Sequence, residues 1–234
     1  MQDFLEHANR VSLRVELVQF NLHRSHGLVI GGLRQDPNGM WELPGRWVQG
    51  EEEPVDTARR VIKEIFRLHS LLHDPVFVGF RRVTNPEPAV SAVFTNFGLV
   101  PNTVIDWSKF AIVGPQLEWT ASTFHAGRLV EQARKIIIEV AAEFPVLARA
   151  LAAQRKFDFF TVRELQETYE TVLGYQVDPA NFRRKVMAPE FLELVAQEDL
   201  VALALTSVTT EGKAPLRYRC GNIERLDPPI RFNV

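Results

Sequence analysis

The chain has 234 residues, 46% hydrophobic and 24% charged, a balance that suits one large globular domain or two smaller ones with separate cores. Its 27 Lys+Arg against 29 Asp+Glu leave a net charge of −2, and from residue 144 onward twelve basic residues face twelve acidic ones, so any nucleic-acid contact must rest on local clusters. No run nears the roughly 18 apolar residues of a membrane span. The opening MQDFLEHANR lacks a signal peptide's basic start, and the single cysteine, Cys220, excludes an internal disulfide and argues against a cysteine-based zinc site. The expected address is cytoplasmic, bacterial in style.

In chain order, VSLRVELVQF (11–20) and GLVIGGLRQ (27–35) are β-rich runs divided by a polar turn. WELPGRWVQGEEE (41–53) then leads into a helix opening near Glu52–Pro54, where a proline suits the first turn and the acidic run suits the positive helix end. PVFVGFRRV (75–83) and AVSAVFTNFGLV (89–100) form a second strand pair around TNPEP. From about Ala126 the period becomes helical: a helix over 126–144, a second begun by Pro145, and a third over 159–174 with capping-box spacing at Thr161 and Glu164 and a stop at Gly174. A further helix opens at Asp178-Pro179. Two strands, LVALALTSV and APLRYRC, joined by TTEGK, close the chain. Helices followed by a β-hairpin predict a winged helix-turn-helix, with the domains dividing at 1–142 and 143–234.

Residues 41–48, WELPGRWV, resemble the opening of a Nudix box, G-x5-E-x7-REU-x-EE-x-GU. Aligned without gaps, Arg46 stands for the first glycine, Glu52 for the first glutamate and Arg60 for the arginine. Glu64 keeps one of the three later glutamates, Val61 and Ile65 replace the other two, and Arg67 replaces the last glycine. The resemblance implies an α/β Nudix-like N-terminal domain, a mixed sheet with helices. Positions 61, 64 and 65 share one helix face. In a hydrolase that face holds Mg²⁺ through carboxylates, which then generates the attacking hydroxide. Valine and isoleucine ligate nothing, so the box predicts no catalytic residues, no metal site and no required cofactor. A metal-free cleft can still bind a nucleotide: Arg46, Arg60, Arg81 and Arg82 are candidates for phosphate, Trp41, Trp47 and Phe80 for base stacking, and Glu64 completes the candidate effector set. Against this, Arg60 serves equally well in an ion pair with Glu52 or Glu64, and Trp47 reads as core.

The segment FTVRELQETYETVLGYQVDPANFRRKVMAP resembles the C-terminal part of Nudix-related transcriptional regulators of the NrtR type, and the NadQ-like branch suits a chain of this size with a degraded box. The residues carrying the likeness are Phe160-Thr161, Glu164-Leu165, Tyr169-Glu170 and Asp178-Pro179-x-Asn181-Phe182-Arg183-Arg184-Lys185, with Gly212-Lys213-Ala214-Pro215 and Tyr218-Arg219 in the wing. The family implies a homodimeric repressor of NAD-metabolism genes on a palindromic double-stranded operator, with NAD, ADP-ribose or ATP as effector. Geometry points the same way. With Phe182 and Val186 set inward, Arg184 points outward at 100° per residue, Ala180 and Asn181 lie on the outer side, and Arg183 and Lys185 flank that line. Arg184 would pair with a guanine and Asn181 with an adenine. Arg183, Lys185, Lys213, Arg217 and Arg219 would grip the backbone. An Arg-Arg-Lys run alone is more often a solvated face.

Two rivals remain at this level. One is a residual hydrolase of ADP-ribose or NADH using Glu51, Glu52, Glu53 and Glu64 around a displaced metal; the other is a winged helix that binds protein rather than DNA.

Overall fold

The computed structural model describes residues 12–23, 27–31, 34–35, 39–66, 73–83, 89–98, 111–113, 127–155, 157–196, 199–200 and 215–232. The first half contains β1 (Leu13–His23), β2 (Gly27–Gly31), β3 (Arg34–Gln35), β4 (Trp41–Glu42), β5 (Gly45–Trp47), α1 (Pro54–Phe66), β6 (Val76–Val83), β7 (Ala89–Gly98) and β8 (Ala111–Val113). Strand β1 organises it. Val15 and Leu17 point to one side, Val18, Phe20 and Leu22 to the other, and all five are buried. A strand apolar on both faces belongs at the centre of a sheet covered on both sides. There it runs parallel to β7, and its opposite edge pairs antiparallel with β5 early and β2 late. The sheet order is β6-β7-β1-β2-β8 with β5 beside β1, the expected mixed sheet.

Helix α1 covers one face, packing Ala58, Val61, Ile62 and Phe66 against Val15, Leu17, Ala92 and Phe94. The other face belongs to α2 (Gly127–Glu143), whose Val130, Ala133 and Ile137 meet Val18, Phe20, Val93 and Phe97. The expected division after residue 142 falls in the last turn of α2. That helix also joins the second half: Arg134 donates to Val172 O at 3.0 Å and the Tyr169 hydroxyl donates to Ala141 O at 3.3 Å.

The second half contains α3 (Val146–Ala153), β9 (Phe159–Phe160), α4 (Val162–Leu173), α5 (Pro179–Met187), β10 (Leu192–Leu194) and β11 (Tyr218–Cys220). The strands form a small antiparallel sheet in the order β10-β11-β9. Pro145 ends α2, because it has no N–H to continue the helix, and occupies the N-cap position of α3. Nothing in the sequence marks β10, since the alternation Leu-Glu-Leu is too short to stand out from its surroundings. The expected strand LVALALTSV lies almost wholly outside the described residues, and so do TTEGK and Lys213.

Candidate functional sites

The box region is built around a close approach. A Cβ on Gly45 would stand 2.5 Å from the Val15 carbonyl oxygen, so only glycine lets β5 pair with β1 there. That pairing sets Arg46 beside α1. Its Nε donates to Glu64 Oε2 at 2.9 Å, so the Glu64 carboxylate is already paired with an arginine of the strand before α1. Arg60 grips Glu52 through Nε at 3.1 Å and Nη2 at 2.9 Å, donates to Trp47 O at 2.9 Å, and lies 3.7 Å from Glu64. The network Glu52–Arg60–Glu64–Arg46 therefore joins α1 to β5 and to the loop between them. Val61 is fully buried in the apolar layer under α1, and Ile65 packs half-buried at its margin. Among the described residues no cluster of carboxylate, histidine or cysteine groups is arranged to hold a metal ion.

Arg60 holds the Glu52 carboxyl down to about 2 from its ordinary 4.5. A depressed carboxylate stabilises the fold above its unfolded value and ceases to as the pH falls through its folded one. The stabilisation from this lock should therefore be in place above pH 4.5 and lost as the pH falls through about 2. Thermal melts of wild type and Glu52→Gln should differ by a modest amount at neutral pH, as a solvent-screened pair allows, and converge over that acid window. A gap independent of pH would refute the assignment.

Of the six candidate effector residues, Arg46, Trp47, Arg60 and Glu64 meet in the network around Arg60, whereas Arg81 and Arg82 lie apart from it. Arg46, Val15, Ala92 and Phe80 form one row across the sheet, and Trp47, Arg14, Ser91 and Arg81 form the next. Adjacent rows face opposite sides. Arg46 and Phe80 thus share the α1 face, but three strand spacings, roughly 14 Å, separate them with α1 between. Arg81 faces the other side and grips Glu16 at 2.6 and 2.7 Å. Glu16 is only 1% exposed, so Arg81 serves as the partner of a buried carboxylate. Trp47, the last residue of β5, is 41% exposed rather than core. Arg82 is exposed, without an ion-pair partner among the described residues, on the same face as Phe80 and Phe77. Those two rings pack 4.9 Å apart, and Phe80 is 63% exposed.

In the second half, local caps set the geometry. Glu164 N donates to Thr161 Oγ1 at 3.2 Å and Thr161 N donates back to Glu164 Oε2 at 2.7 Å, closing the expected capping box. Gly174 ends α4 at φ +82°, a left-handed turn that favours glycine. Sequence reasoning missed what holds the turn before α5. The Glu170 carboxylate accepts from Val177 N at 2.8 Å and from Gln166 at 2.9 Å. Asp178 then caps α5 by accepting from Asn181 N at 2.8 Å.

On α5, Phe182 and Val186 are fully buried while Arg183 and Arg184 are exposed, the predicted orientation. Arg184 Nη2 donates to Asn181 Oδ1 at 2.9 Å, placing the two candidate base readers side by side. Lys185 turns sideways: its ammonium donates to Arg231 O and lies 5.3 Å from the centre of the Phe232 ring. Arg217 stacks over Phe159 at 5.8 Å, and Arg219 approaches Asp158 at 3.9 Å.

A mixed sheet with helices on both faces, joined by a helix to a capped helix-turn-helix and a three-stranded sheet, defines an α/β Nudix-like domain followed by a winged helix. Residues 158–201 match the family model of the NrtR DNA-binding winged helix domain. The fold as a whole is similar to the crystal structure of Shewanella oneidensis NrtR, with 20% identity, 92% of this chain and 98% of that one covered, and a TM-score of 0.58. The same protein complexed with a 27mer DNA matches at 18% identity, 92% and 99% coverage and 0.56. A MutT/nudix family protein from Enterococcus faecalis matches at 14% identity, 94% and 91% coverage and 0.60. No curated protein matches the chain. Among the described residues no helix is long and apolar enough to cross a membrane.

Proposed function

We propose that this chain is a ligand-responsive transcriptional regulator, a homodimeric repressor of NAD-metabolism genes. Residues 143–234 read a palindromic operator, and residues 1–142 bind a nucleotide effector (ADP-ribose, NAD or ATP) without hydrolysing it. The observation that carries the reading is the match of residues 158–201 to a DNA-binding winged helix, together with Arg183 and Arg184 exposed on α5. Shewanella NrtR, similar to this chain over nearly its whole length, crystallised with a 27mer DNA. A monomer presents one recognition helix, whereas two half-sites about one helical turn apart need two.

The effector reading rests on the surface beside α1. Arg82, which has no ion-pair partner among the described residues, offers a guanidinium for phosphate, and Phe80, 63% exposed, offers a ring for a base. The absence of turnover rests on Glu64, whose carboxylate already has Arg46 as partner. The test is fluorescence anisotropy of the full chain with its own upstream DNA across a salt series, with and without ADP-ribose, NAD and ATP. Binding tighter than to a scrambled duplex, and shifted by a nucleotide, supports the reading. Equal binding to both duplexes at low salt would sink it.

A further inference from the structure

The tail after the wing holds both the end of α2 and the recognition helix. The reason begins at Pro145, which lacks the N–H that Ala141 O would otherwise accept. The Tyr169 hydroxyl supplies that donor from α4. The next two carbonyls at the end of α2 find donors in the tail: Ile230 N reaches Ala142 O at 2.8 Å, and Leu226 N reaches Glu143 O at 2.7 Å. Leu226 and Ile230 are buried alongside. The Glu143 carboxylate then holds two tail arginines, Arg225 at 2.7 Å and Arg231 at 3.2 Å.

The far end of the same segment lies on α5. The Phe232 ring stacks on Phe182 at 5.6 Å and 12°, and meets Tyr169 edge-on at 6.0 Å. Lys185 donates to Arg231 O, and the Tyr175 hydroxyl to Phe232 O at 3.5 Å. Phe182 and Lys185 bracket Arg183 and Arg184 in sequence, so whatever fixes the first pair sets the direction of the second.

We propose that residues 223–232 form a strap that positions the recognition helix against α2, with Glu143, Arg231 and Phe232 as positioning residues for DNA reading. It holds α5 at two points and ties it to a helix that packs on the sheet of the Nudix-like domain. Lys185 accordingly belongs to the strap rather than to the set of phosphate contacts. The inference rests on the regulator reading only for its DNA consequence.

The experiment uses the full chain as wild type, Glu143→Gln, Phe232→Ala and Phe232→Tyr. It measures anisotropy on upstream and scrambled duplexes, thermal unfolding, and hydrogen exchange of residues 179–187 without DNA. Glu143→Gln and Phe232→Ala should lower the ratio of specific to scrambled affinity about tenfold, near the worth of one misdirected base contact. Both should also speed exchange of the α5 amides below the unfolding transition, and Phe232→Tyr should restore the ratio and the slow exchange. A merely structural role would lower the melting temperature and weaken both duplexes alike. Wild-type ratios and wild-type exchange in both variants would overturn the strap. Should wild type itself prefer neither duplex, the regulator reading fails, and exchange in α5 still decides the strap.

Discussion

Arg184→Ala should weaken binding to the upstream operator by roughly 5- to 150-fold while leaving scrambled DNA nearly untouched, because a lost bidentate base contact costs about 1–3 kcal/mol. The side chain is exposed in the last turn of α5 and, among the described residues, its hydrogen-bond partner is Asn181 on the same helix, so its removal costs the fold little. Arg183→Ala should behave differently. It is exposed one position away, and as a phosphate contact it would weaken every duplex alike and lower the salt slope by about one. Anisotropy titrations on both duplexes at several salt concentrations separate the two patterns. Equal losses on both duplexes for Arg184→Ala would remove it from the base-reading role.

Placing glutamates at positions 61 and 65, where the Nudix pattern carries them, should damage the protein rather than confer turnover. Val61 is fully buried among Val15, Leu17, Ala92 and Phe94. A glutamate there must either be buried charged, at several kcal/mol, or swing out and strip the helix of its packing. Val61→Glu should therefore lose about 3–5 kcal/mol in urea unfolding. Ile65→Glu, at the half-buried margin, should lose clearly less. Neither variant, nor the pair, should turn over ADP-ribose with Mg²⁺, since Glu64 remains paired with Arg46. A Val61→Glu protein as stable as wild type, with magnesium-dependent turnover, would show that the metal face is only lightly altered.

What the sequence determined by itself was local. The capping box at Thr161 and Glu164, the stop at Gly174, the helix opening at Asp178-Pro179 and the outward direction of Arg184 with Arg183 at its flank all rest on neighbours within a helical turn or two. Such contacts are encoded in spacing, and so the helix-turn-helix was legible with its exposed face. Four strands of the mixed sheet, β1, β2, β6 and β7, were legible for the same reason, as runs bounded by turns, whereas the short β5 and β8 were not. Only the tertiary structure decided which charges were free. Arg81 meets Glu16 across 65 positions, Arg46 meets Glu64 across 18, and Arg231 meets Glu143 across 88. An arginine that binds phosphate and one that holds a buried carboxylate look alike in a linear chain, because pairing depends on strand order and on which face of the sheet each side chain takes. The strap was hidden for the same reason: Phe232 finds Phe182 only after the chain has built the wing and returned along the end of α2.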